Sequence, residues 1–102
     1  MNRMSEYRNP RLLALAKDAP RCFCCGREND NTVVSAHSNE QAMGKGMGHK
    51  AADIPAFVCA TCHDLIDGRN GGWSREARIQ EWRRAALLSM RWALVNHPEV
   101  FR

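Results

Sequence analysis

No stretch of the 102 residues approaches the roughly 18 consecutive apolar residues that a membrane-spanning helix needs. The opening segment Met1–Pro10 (MNRMSEYRNP) lacks the apolar centre of a secretory leader, and the nearby run Leu12–Ala16 is too short to supply one. A cytoplasmic protein with no membrane partner is the expectation. Internal repeats are missing as well, which sets aside solenoids and propellers. The glycines of Gly44–Lys50 (GKGMGHK) have neither the length nor the spacing of a Walker loop or a dinucleotide fingerprint. Acidic residues are the minority charge, 11 against 15 Lys and Arg, and the resulting +4 suits a polyanion such as nucleic acid without demanding one. Finally, the five cysteines are odd in number and fall in two tight groups, a poor fit to a disulfide framework and a better one to metal ligation.

What remains is one small domain over residues 1–102, with a core at about 20–70 and little room for a second. A chain this short buries a modest core and gains from a metal staple. Asn9 as cap and Pro10 at the first helical position open a short helix through RLLALAK, ended by Asp18-Ala19-Pro20. The β-branched segment Thr32–Ala36 reads as a first strand and Ile54–Val58 as a second. A helix is expected from about Ala60 to Asp67, stopped by Gly68. A long C-terminal helix follows over about 74–96, capped by Ser74 and ended by His97-Pro98. Its apolar stripe runs through Ile79, Trp82, Ala86, Met90 and Ala93, widened by Leu87 and Leu94.

Two C-x-x-C elements are the strongest signal. Cys22 and Cys25 on one tight turn and Cys59 and Cys62 on another can surround a single tetrahedral ion, which in a structural site is Zn²⁺. Gly26 permits the left-handed backbone that turns amides toward sulfur. Cys24 is spare and is left outside the site. The two pairs stand further apart than in an ordinary zinc ribbon, so an insert lies between the halves.

Inside that insert His37 closes the first strand. His63 directly follows Cys62, and Asp67 lies one helical turn further on, so His63 and Asp67 share a face and can reach one ion. In these elements the chain resembles the HNH (ββα-metal) endonuclease superfamily, and more closely the small prophage-encoded HNH nucleases of the YbcO type. The resemblance rests on Cys22 and Cys25, on Ala36-His37, and on the glycine-rich loop running into Lys50-Ala51-Ala52-Asp53. It continues through Cys59-x-x-Cys62-His63-Asp64 and Ile66-Asp67, and spans roughly residues 10 to 95. It implies an α+β fold: a small zinc-stapled, treble-clef-like ββα-metal domain with a short N-terminal and a long C-terminal helix.

The resemblance also implies metal-dependent cleavage of DNA. His37 would act as general base on water, since imidazole titrates near neutrality. His63 and Asp67 would hold a catalytic divalent ion, Mg²⁺ or similar, distinct from the structural zinc. Lys45, Lys50, Arg75 and Arg78 would contact phosphates. The chain departs from the family at two points. Ala36 stands where many members carry a metal-touching Asp, and the middle Asn that orients the base has no counterpart at the usual offset. Asp53 is the nearest polar candidate for that orienting role, and Asn39 is a second.

Taken singly, these residues have plainer readings. His63 can neighbour the zinc or replace one cysteine, Asp67 can be a helix-end residue, and Asp53 a turn residue before Ile54-Pro55. His49 reads as a solvated loop residue, His97 as a helix-end cation, and the three tryptophans as packing residues. The functional alternatives to a nuclease are a non-catalytic zinc-bound nucleic-acid-binding module and a zinc-stabilised adaptor that binds a protein through its long helix.

Overall fold

The computed structural model describes residues 7–40, 51–69 and 71–102. Lys45, Lys50 and His49, with the rest of the glycine-rich loop, lie outside the described residues. Helix α1 (Pro10–Leu13) runs into a 3₁₀ turn at Ala14–Asp18, followed by strands β1 (Val33–Ala36) and β2 (Ala56–Cys59). Helix α2 (Ala60–Asp67), helix α3 (Arg75–Asn96) and a 3₁₀ turn at Pro98–Phe101 complete the chain. The fold is a small α+β arrangement, and none of its described helices is long and apolar enough to cross a membrane.

The two strands pair antiparallel, Val33 opposite Cys59 and Ala36 opposite Ala56. Cys59 therefore marks one end of the sheet, and His37 emerges at the other. Four residues of strand cover about 13 Å, and the eight residues of α2 cover about 12 Å. Helix α2 leaves Cys59 and runs far enough to span the sheet, and its last residue, Asp67, meets Asn39 just beyond the end of β1. Gly68 stops it with φ +75°, a left-handed conformation that glycine adopts without penalty. The guanidinium of Arg78 lies against the same glycine, in the space a side chain would fill.

Helix α3 packs across β2 through Trp82, Ala85, Ala86, Ser89 and Ala93. Its alanines let helix and strand approach closely, and Phe57 meets the Trp92 ring edge-on at 5.9 Å. Ser89 is the polar member of this face and is fully buried. Its hydroxyl donates to the Ala85 carbonyl at 2.7 Å and accepts the Phe57 amide at 2.8 Å. Phe57 faces Ser35 at a register position that turns its N–H away from β1, so Ser89 satisfies a donor the sheet leaves over. Ser89→Ala is expected to destabilise the fold by about 1–3 kcal/mol, the cost of an orphaned buried amide, read as a lower urea midpoint with an unchanged slope.

Several sequence expectations need correction. The first helix is α-helical only to Leu13 and tightens to 3₁₀ thereafter, with Asn29 Nδ2 donating to the Ala16 and Ala19 carbonyls that close the turn. The first strand begins at Val33 rather than Thr32, whose hydroxyl is held by Asp30. The second begins at Ala56 rather than Ile54, because the Ile54 amide is spent on Ala52 and Pro55 has none to donate. On α3 the stripe is rotated. Leu87 and Leu94 face outward, 72% and 53% exposed, while Ala85 and Ser89 point inward.

Candidate metal and histidine–carboxylate centre

The ligand atoms of Cys22, Cys25, Cys59 and Cys62 all lie within 4.8 Å of one another, with Cys25 Sγ and Cys59 Sγ 4.0 Å apart. A tetrahedral ion with metal–sulfur bonds of about 2.3 Å sets its sulfurs about 3.8 Å apart. The four cysteines fit such an ion, and no disulfide joins them. The first pair sits on a knuckle closed by the Cys22 amide bonding to the Arg27 carbonyl and by the Gly26 amide bonding to the Cys22 carbonyl. Gly26 has φ +83°, and the amides of Cys24 and Cys25 both point at Cys22 Sγ, each at 3.4 Å. The second pair comes from the end of β2 and the first turn of α2, so an ion there would tie the knuckle to the strand–helix junction. Cys24 stands outside the four, its thiol directed at Glu81 while remaining beside Cys62.

The thiols themselves favour a cation. Burial opposes ionisation of Cys22, yet the surrounding amides outweigh it and lower its pKa to about 7. Burial, together with the neighbouring thiols, raises Cys59 and Cys62. Four close thiolates cannot coexist uncompensated, so metal uptake must release protons and weaken in acid. Cys24, outside the group, is raised by burial to about 11.

At the opposite end of the sheet the structure brings His37 and Asp53 together. His37 Nε2 lies 2.9 Å from Asp53 Oδ1. The second oxygen of Asp53 accepts the Asn9 backbone amide at 2.9 Å. Asn9 is itself a hub: Oδ1 caps α1 at the Leu12 amide, and Nδ2 donates to Val100 O and to the Tyr7 hydroxyl. Asp53 is thereby tied to Asn9, which Val100 holds in turn. The plain reading of Asn9 as a helix cap missed this second duty, since no local pattern links residues 44 apart. The strand end is held just before His37, where the Trp82 indole donates to the Ala36 carbonyl at 2.9 Å. Ala36 is fully buried and carries no carboxylate toward the site.

Burial opposes ionisation of Asp53, but the hydrogen bonds from His37 and Asn9 and the charges of His37 and Arg8 hold it below the usual carboxylate range. A carboxylate depressed in the folded state stabilises the fold above its unfolded pKa of about 3.9 and loses that contribution as pH falls through the folded value. Unfolding measured between neutral pH and pH 2 should therefore show a loss beginning near pH 4. That component should flatten in Asp53→Asn.

On α2, His63 Nε2 and Asp67 Oδ2 face each other at 3.2 Å. Adjacent ligands of an octahedral ion with bonds of about 2.1 Å stand about 3.0 Å apart, so this pair can serve as two of its corners. Asp67 Oδ1 accepts Asn39 Nδ2 at 3.1 Å. Asn39 thus meets α2 through Asp67, while Asp53 rather than Asn39 contacts His37. His63 bonds to Asp67, not within the group of four cysteines. Arg69, which the sequence reading passed over, bridges Asp64 at 3.0 Å and Asp67 at 3.2 Å. Arg75 and Arg78 line a small cavity of about 50 Å³ that Asn39, Glu40, Ile66 and Trp82 also border. The remaining arginines of α3's first half are neutralised, Arg83 by Glu40 and Arg84 by Glu81.

Compared with protein-family models, with curated proteins and with solved structures, the chain matches none.

Proposed function

We propose that this chain is a metal-dependent DNA endonuclease of the HNH (ββα-metal) type, of phage or prophage origin, with zinc as the ion of its four cysteines. The reading is carried by one juxtaposition: a histidine oriented by a buried carboxylate closes β1, and the residue two positions on, Asn39, touches the His63–Asp67 pair of α2. Zinc is the common structural ion of four-thiolate sites, and it would anchor the β2–α2 junction from which His63 projects.

The division of labour follows from the hydrogen bonds. Asp53, ionised and accepting only, draws the proton of His37 to Nε2, which leaves the Nδ1 lone pair free. Nδ1 takes a proton from water, the water oxygen attacks phosphorus in line, and the bond from phosphorus to O3′ breaks. Oriented by Asp53, the imidazole carries the added proton without losing its position. His63 and Asp67 would hold a divalent cation, which would supply neutralisation of the charge that develops on the phosphoryl group and its leaving oxygen. Mg²⁺ suits such a site, since it keeps several waters and takes few protein ligands. With Ala36 in place of an acid, the protein ligands among the described residues would be His63 and Asp67. Arg75 and Arg78 would contact flanking phosphates.

The test is conversion of supercoiled plasmid to nicked circles by the zinc-loaded protein. Cleavage that needs added Mg²⁺ or Mn²⁺ is expected. No cleavage of plasmid or of branched DNA in either ion would count decisively against the reading.

A further inference from the structure

Arg69 sits where a cation is expected to bind. Its guanidinium meets Asp67 at Oδ2, the same oxygen that faces His63 Nε2. The other oxygen of Asp67 already accepts Asn39 Nδ2. Because Oδ2 is the oxygen that faces His63, an ion shared between His63 and Asp67 would take Oδ2, against which the guanidinium leans.

The root of Arg69 is fixed and its tip is not. The Arg69 amide bonds to the Asp64 carbonyl at 3.0 Å just after the left-handed turn at Gly68. The side chain, by contrast, is 63% exposed and is held by ion pairs to Asp64 and Asp67. The arginine end of these pairs is open to solvent, which screens them, whereas a divalent cation brings twice the charge to the same oxygen. The ion should win the competition, and its arrival should expel the guanidinium.

Resting on the nuclease reading above, we propose that Arg69 is an exchangeable counter-ion. It holds Asp67 while the His63–Asp67 site carries no ion, yields Oδ2 to a divalent cation, and then turns to a phosphate of the incoming DNA. The last step follows from charge and shape. Losing Asp67 frees the Nη2 side of the guanidinium while Asp64 still holds Nη1, and the freed edge of that planar fork matches phosphate oxygens. Two further cations stand nearby: Arg78 lies against Gly68, Arg75 lines a cavity with it and Glu40, and among the described residues no acidic side chain forms an ion pair with either arginine.

The proposal predicts opposite signs in two binding measurements. Zinc-loaded protein is titrated with Mn²⁺ and the free ion is followed by electron paramagnetic resonance. Arg69→Gln should bind Mn²⁺ about three- to ten-fold more tightly than wild type, because a competing cation is gone. Arg69→Lys, which keeps the charge, should stay near wild type. In a His37→Ala background, where the DNA survives, a short duplex in Mn²⁺ should bind Arg69→Gln at least about three-fold more weakly, with a salt slope smaller by about one. A merely structural Arg69 would lower both affinities. Unchanged or weaker Mn²⁺ binding by Arg69→Gln, or unchanged duplex binding, overturns the proposal. His63→Ala separates the two ideas. Where it loses the ion, the metal site stands whatever Arg69 does. Where it binds Mn²⁺ like wild type, the site and the proposal fall together.

Discussion

Replacing Cys59 with serine is expected to cost the protein its metal and most of its folded stability. Cys59 is buried at the junction of β2 and α2, where it pairs across the sheet with Val33 and contributes one of four clustered thiols. The core it helps to hold is rich in alanine: Ala16, Ala19, Ala36, Ala56, Ala85, Ala86 and Ala93 each bury only a methyl group. Such a core yields less hydrophobic stabilisation than one of the same count built from leucine and phenylalanine. A structural zinc contributes about 10–16 kcal/mol in small peptides, against a net stability of about 5–15 kcal/mol for typical domains. Metal analysis of Cys59→Ser should fall well below one ion per chain, and its cooperative thermal transition should vanish. Cys24→Ser supplies the contrast, because Cys24 points to Glu81 and stands outside the group. It should keep both the ion and the transition.

The second large effect is on chemistry. If the chain is the nuclease proposed above, His37→Ala should lower DNA cleavage by about 10²–10⁴-fold, the usual contribution of a positioned general base. Fold and metal content should be unchanged, since the His37 side chain is 39% exposed. The strand end is held independently by Trp82 at the Ala36 carbonyl, and Asp53 keeps its bond to the Asn9 amide. Asp53→Asn should give an intermediate loss. An amide there no longer draws the imidazole proton to Nε2, so a smaller fraction of His37 has Nδ1 free.

The parts of this architecture that are written locally were legible in the sequence. Helix α2 begins and ends where Cys59 and Gly68 place it, and Asn9 and Ser74 cap their helices through the Leu12 and Ala77 amides. The cysteine cluster followed from spacing alone. The rest depends on partners far along the chain. Hydrophobicity ranks Leu87 above Ser89, yet the helix buries Ser89, because β2 offers an unpaired amide and demands a small neighbour. Asp53 could be read as a turn residue until its oxygens were seen to join His37 and Asn9. Arg69 carries no motif; only the position of its guanidinium on Asp67 draws attention to it.

The central claim is that His37 is the base of a DNA-cutting centre, and a paired plasmid assay tests it most directly. Wild type and His37→Ala, matched for zinc content, are incubated with supercoiled DNA with and without added Mg²⁺ or Mn²⁺. Metal-dependent nicking by wild type that disappears in His37→Ala is the predicted result. Equal nicking by both proteins would contradict the role of His37. No nicking by either, with salt-dependent DNA binding intact in both, would make the chain a zinc-bound nucleic-acid-binding module instead.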